Sequence, residues 1–229
     1  MTDTPPLSPA TPAARTRIKL CGLSRPADVD HAVALGADAI GFVFYPKSPR
    51  ALSVEQAAGL ARRVPPFVSV VGLFVNASAE EIARVVDAVP LTTLQFHGDE
   101  TPEQCVALAR VARLPWLRAL RIGVSTQRAD LVKSAHHYST AGGLLFDTLV
   151  SDYGGSGKVF DWSLIPAELA HRGVLSGGLN AQNVGDAIRQ VRPYAVDVSS
   201  GIEVAGEKGV KDHARMAAFV GAVRAADAR

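Results

Sequence analysis

The sequence predicts an α/β chain: a single (β/α)8 barrel of the TIM type with a short disordered N-terminal extension. From Arg17 onward, eight short apolar, β-rich runs alternate with longer amphipathic stretches. Such alternation implies parallel strands joined by crossover helices. The composition also keeps one regime from there to the end, and eight units in one regime favour closure into a barrel. The competing architecture is an open, doubly wound sheet. Against it, no Gly-x-Gly-x-x-Gly fingerprint follows the first strand or occurs anywhere else in the chain.

The tail, residues 1–16, sets Pro5, Pro6, Pro9 and Pro12 among Thr, Ser and Ala. It lacks the apolar run of a signal peptide and is expected to be loose. The barrel domain then occupies residues 17–229, with strands expected at 17–22, 38–44, 68–75, 92–98, 116–122, 143–148, 174–177 and 195–199. They are short apolar runs, several of which break into glycine or small polar residues. A helix is expected over 53–64, where Ser53 and Gln56 have capping-box spacing, and another over 79–89 after Ser78 as cap. Cys105 falls inside the amphipathic stretch 102–112 and reads as core packing.

With 229 residues, 48% of them hydrophobic, the chain is long enough for one large core or two small ones, and a single domain is expected. A formal charge of +2 with the two signs interspersed leaves no basic stripe for nucleic acid and no polybasic membrane patch, so the expected partner is a small molecule. Two cysteines, Cys21 and Cys105, make neither a disulfide framework nor a zinc site. A reducing, cytoplasmic setting is expected, with no metal. No long exposed apolar stripe is evident between helices, which favours a monomer over a dimer.

In a barrel of this kind the working residues sit at the carboxyl ends of the strands, and phosphate is commonly held by the loops after strands seven and eight. Leu175-Ser176-Gly177-Gly178-Leu179-Asn180 and Val196-Asp197-Val198-Ser199-Ser200-Gly201-Ile202-Glu203 fall there. The amides of Gly177, Gly178, Ser200 and Gly201 are expected to cup a phosphate, a nearby helix N-terminus adding its dipole; the plainer reading is that these glycines only end strands. At other strand ends stand Cys21, His97 and Asp147, with Asp197 in strand eight. A thiol and a carboxyl across one mouth can accept and donate protons.

Period-two geometry puts Lys19 on the inward face with Cys21, and a buried ammonium needs a counter-charge. Asp197 on the closing strand is the expected partner, and the pair is expected to bias Cys21 toward thiolate. The proline-stiffened segment Tyr45-Pro46-Lys47-Ser48-Pro49-Arg50 would hold Arg50 at the rim for a two-pronged grip on a carboxylate. The glycine-rich loop 152–160 follows strand six and is expected to close over a substrate; its spacing does not fit a nucleotide-binding P-loop.

These residues carry a resemblance. Lys19-Leu20-Cys21-Gly22, the run from Gly41 to Arg50, Gln95-Phe96-His97-Gly98, Leu145-Phe146-Asp147-Thr148, Gly154-Gly155-Ser156-Gly157-Lys158 and the two glycine loops resemble the phosphoribosylanthranilate isomerase family of tryptophan biosynthesis. The match runs from about Arg17 to the end, departing at Phe96 and Phe146, where an apolar residue replaces another. The resemblance implies a cofactor-independent Amadori rearrangement of a phosphosugar. Asp147 would be the general acid and Cys21 the general base, with Asp147 shifted toward its neutral form and Cys21 toward thiolate. Arg50, His97, Gly177, Gly178, Asp197, Ser200 and Gly201 would bind substrate, Arg50 taking the anthranilate carboxylate. Two other readings stay open: a metal-dependent sugar-phosphate epimerase, which needs histidines and aspartates converging at the mouth, and a non-catalytic phosphosugar-binding protein. A dual-substrate relative would be expected to carry aspartate where Cys21 stands.

Overall fold

A computed structural model describes residues 15–149 and 159–228. The expected tail thus lies outside the described residues except for Arg15 and Thr16, and the expected closing loop except for Val159 and Phe160. Arg15 pairs with the Asp38 carboxylate, and the Thr16 backbone N–H and Oγ1 donate to Asp227 at 2.8 and 2.7 Å.

Strands and helices alternate: β1 (Arg17–Cys21), α1 (Pro26–Ala34), β2 (Ala39–Val43), α2 (Val54–Ala61), β3 (Ser69–Phe74), α3 (Ala79–Ala88), β4 (Thr93–Phe96), α4 (Pro102–Ala112), β5 (Trp116–Ile122), α5 (Arg128–His137), β6 (Gly143–Thr148), α6 (Ala167–Ala170), β7 (Val174–Leu175), α7 (Val184–Val191), β8 (Ala195–Val198) and α8 (His213–Asp227). The strands pair in chain order, all parallel, and β8 closes on β1 with Lys19 opposite Asp197. All eight expected strands are present, β5 and β6 at the expected bounds. The seventh is cut to Val174–Leu175, since the chain soon turns left-handed at Gly177 (φ 78°) and Gly178 (φ 68°).

Helix starts follow the local chemistry. Ser53 accepts from the Gln56 N–H while the Gln56 side chain accepts from the Ser53 N–H, and the same reciprocal box forms at Ser78/Glu81 and Thr101/Gln104. Each cap contributes about 1 kcal/mol. Outward-facing strand residues such as Ile40, Phe42, Phe74, Leu94, Phe96 and Phe146 pack with Val29, Ile82, Ile188 and Phe219 of the helices in one continuous core. A second, small cluster of Ala119, Leu145, Val174 and Ala195 is built from alternate positions of β5 to β8. Two residues further along β6 and β8 stand Asp147 and Asp197, so the same inward faces pass from an apolar floor to a polar mouth.

Candidate active site

Cys21, Arg50, His97, Asp147, Gly177, Gly178, Asp197 and Ser200 line one cavity at the carboxyl ends of the strands. Of the expected site residues, Gly201 does not line it. A Cβ there would stand 1.9 Å from the Leu179 carbonyl oxygen, so only glycine lets the two loop backbones pass this closely.

Cys21 ends β1 opposite Gly41 of β2. A Cβ at Gly41 would come within 2.7 Å of the Cys21 sulfur, so the glycine makes room for the thiol. Lys19 donates to Asp197 Oδ1 at 2.7 Å with both side chains buried, and Ser176 Oγ donates to the other carboxylate oxygen at 3.2 Å. The ion pair is therefore the one that strand periodicity predicts. Burial works against the Lys19 charge, but Asp197 and the neighbouring Cys21 outweigh it, and the ammonium is held above the ordinary lysine range.

The expected bias of Cys21 toward thiolate is corrected. Burial of the thiol is the largest influence and pushes it up from 9.0; Lys19 pulls it down, and Asp197 pushes it up again. The carboxylate that neutralises Lys19 also opposes a thiolate beside it.

Removing Lys19 leaves Asp197 buried without its counter-charge. Lys19→Met is expected to lower the unfolding free energy by ~3–5 kcal/mol, read from denaturant melts at neutral pH. With its folded-state value raised, Lys19 contributes stability fully below the ordinary lysine pKa of 10.5, and the contribution is lost as pH rises through the higher folded value. Wild-type stability in the variant would contradict a stabilising pair.

Across the cavity, Asp147 near the end of β6 accepts from the Thr148 N–H through Oδ1 at 2.9 Å and lies 3.0 Å from His97 Nε2 through Oδ2. His97 Nδ1 lies 3.0 Å from Gln95 Nε2. His97 was expected among the substrate-binding residues, but both of its ring nitrogens are engaged by the protein, and its position is that of a group holding Asp147. Asp197 is engaged in the same way, by Lys19 and Ser176. Gln95 stands in the motif Gln95-Phe96-His97-Gly98 without an assigned role, although period two on β4 puts it on the inward face with His97.

Arg50 is buried rather than poised at the rim. Its Nε and Nη2 donate to the two oxygens of Glu203 at 2.6 and 2.8 Å, and Lys211 donates to Glu203 Oε1 at 3.0 Å and to the Ser199 carbonyl at 3.0 Å. Burial opposes the Glu203 charge, yet Arg50 and Lys211 hold the carboxylate below its usual range; burial lowers Lys211, which Glu203 only partly offsets. The two-pronged edge of Arg50 is thus taken by Glu203, leaving Nη1 as the guanidinium nitrogen that Glu203 does not take. A Cβ at Gly22 (φ 73°) would stand 2.5 Å from Arg50 Cδ, so that glycine admits the arginine stem. Glu203 ends the motif around Ser200, whereas Lys211 had no sequence signal.

Gly177 and Gly178 occupy the left-handed region at successive positions, and β8 runs through Ser199 into a single 3-10 turn at Ser200–Ile202. The first amides of such a turn have no partner within it. The two loops face the cavity side by side, a concave arrangement of backbone suited to an anion.

The family model for N-(5'phosphoribosyl)anthranilate (PRA) isomerase matches residues 18–222. The chain belongs to the phosphoribosylanthranilate isomerase family. Curated relatives of that name agree. The protein from Ralstonia nicotianae is 64% identical over 226 residues, covering 95% of this chain and 96% of that one. The protein from Herminiimonas arsenicoxydans is 57% identical, covering 93% and 95%. Among solved structures, the phosphoribosylanthranilate isomerase of Thermotoga maritima superposes with a TM-score of 0.80 at 44% identity, covering 92% of this chain and 99% of that one. Another isomerase structure, in complex with reduced 1-(o-carboxyphenylamino)-1-deoxyribulose 5-phosphate, superposes with a TM-score of 0.77 at 40% identity, with the same coverage.

Proposed function

We propose that Asp147 and Cys21 are the general acid and general base of the isomerase reaction, the Amadori rearrangement of N-(5-phosphoribosyl)anthranilate to 1-(o-carboxyphenylamino)-1-deoxyribulose 5-phosphate. The observation that carries the assignment is a carboxyl and a thiol facing one cavity beside two glycine loops fit for a phosphate. Asp147 protonates the furanose ring oxygen, and the ring opens to a protonated Schiff base. The Cys21 thiolate takes the C2′ proton, leaving an enolamine. Ketone formation then delivers a proton to C1′ and releases one from the 2′-hydroxyl, which restores thiolate and acid, so the step consumes nothing and needs no cofactor.

Gly177, Gly178 and Ser200 hold the phosphate on their amides. Arg50, braced by Glu203, meets the anthranilate carboxylate through Nη1. The enzyme is taken as cytoplasmic; among the described residues no helix is long and apolar enough to cross a membrane. It is also taken as a monomer, with a dimer as the alternative that the fully exposed Phe67 favours; light scattering decides between them.

Incubation with the phosphoribosylanthranilate is expected to give a product of unchanged mass with a ketone carbon in its ¹³C spectrum. Release of free anthranilate and ribose phosphate would overturn the assignment. The pH dependence is also defined. Acid and base must be protonated and ionised together, and carboxyls ionise below thiols. Between the two ionisations, each gain in thiolate is matched by a loss of acid, so kcat/KM is level and its alkaline limb reports the thiol. Because burial pushes Cys21 up from 9.0, that limb is expected above pH 9.0. A limb near neutrality would mean that the thiolate is favoured after all.

A further inference from the structure

Gln95 is fully buried on β4, two positions before His97 on the same inward face. Its Nε2 meets His97 Nδ1 at 3.0 Å and His97 Nε2 meets Asp147 Oδ2 at 3.0 Å, whereas Gln95 Oε1 finds no partner among the described residues. An unpaired buried carbonyl is costly, and natural cores rarely retain one without a reason.

We propose that Gln95 is a positioning residue that couples the orientation of its amide to the number of protons carried by the His97–Asp147 pair. A carboxamide presents donors on one side and an acceptor on the other, and a half-turn about its terminal bond exchanges them with little change of shape. With Nε2 toward the ring, Nδ1 must offer a lone pair. The imidazole proton then sits on Nε2, shared with the Asp147 carboxylate, and the pair holds one proton. With Oε1 toward the ring, Nδ1 carries a proton that Oε1 accepts, and a second proton lies between Nε2 and Oδ2. That second proton is the transferable one. It leaves for the ring oxygen of the substrate and is recovered from the 2′-hydroxyl when the ketone forms, so the count balances over a turnover. The otherwise idle Oε1 is the acceptor that the loaded state requires. This role deepens the isomerase reading and rests on it for its catalytic consequence.

Other titratable or charged groups line the same cavity or adjoin the pair. Cys21 comes from β1, Arg50 and Tyr45 from the segment after β2, and Asp197, paired with Lys19, from β8. On β5 the strand neighbour of Asp147 is Arg121, bonded to Asp99. All of these stay constant when only Gln95 is changed.

The test is a ¹⁵N titration of His97 in wild type, Gln95→Met and Gln95→Glu, each checked for cooperative unfolding. Methionine offers Nδ1–H no good acceptor, so the second proton is expected to load at least about one pH unit lower than in wild type. A glutamate carboxylate accepts always, so loading is expected at higher pH than in wild type. A merely structural role would not move the two variants in opposite directions. Coincident midpoints in three folded proteins, or shifts of the same sign, would overturn the proposal. In Gln95→Met, kcat is expected to fall about tenfold or more with KM little changed, a loss of proton transfer rather than of binding. If the midpoints separate as expected while wild type fails to turn over phosphoribosylanthranilate, the coupling stands and the isomerase reading fails.

Discussion

Cys21→Ala is expected to lower kcat by ~10²–10⁴-fold, the range for losing a positioned general base, with KM within about threefold of wild type. The change is small in volume. Lys19 loses the neighbouring thiol but keeps its buried hydrogen bond to Asp197 at 2.7 Å. The fold is therefore expected to survive, and the loss is confined to proton removal from C2′. Steady-state kinetics with a thermal melt checks both parts. Wild-type kcat in a folded Cys21→Ala protein would transfer the base role elsewhere in the cavity.

Asp147→Asn is expected to cost a similar ~10²–10⁴-fold in kcat, for a different reason. An amide cannot give a proton to the ring oxygen, yet its Oδ1 still accepts from the Thr148 N–H, while the NH2 that replaces Oδ2 donates to His97 Nε2 in the Nδ1–H tautomer. The site keeps its shape while the acid is gone. The reduced, open-chain product analogue should therefore bind Asp147→Asn within about threefold of wild type by calorimetry, since it needs no ring opening. A variant that loses analogue binding and kcat in proportion would make Asp147 a binding group instead.

The strand ends were legible because a barrel puts chemistry at the carboxyl ends of its strands and because apolar runs stop abruptly at Cys21, His97 and Asp147. The Lys19–Asp197 pair was legible too, since a period of two residues and closure of strand eight on strand one suffice to bring them together. The surroundings of Arg50 were not legible. Its partner Glu203 is 153 positions away, just beyond the 3-10 turn that follows β8. Lys211 then joins from a segment with no motif at all.

The direction of the Cys21 shift failed for a related reason. The sequence suggests a cation beside the thiol, but which influence wins depends on how deeply the thiol is buried and on Asp197 standing close enough to oppose a second negative charge. His97 was recognised as a strand-end residue, but its engagement on both sides depends on β4 and β6 facing each other across the closed barrel. The close packing at Gly201 was not legible, because glycine serves both close backbone approach and anion binding, and the 1.9 Å approach of a Cβ to Leu179 comes only with the fold.

The most direct measurement is the loss of anthranilate-type fluorescence when freshly made N-(5-phosphoribosyl)anthranilate meets the purified chain in EDTA, with Cys21→Ala and Asp147→Asn beside it. Rapid turnover in the chelator that collapses in both variants is the predicted result. Turnover that needs an added divalent metal, or that persists in either folded variant, would contradict metal-free catalysis by this thiol and carboxyl.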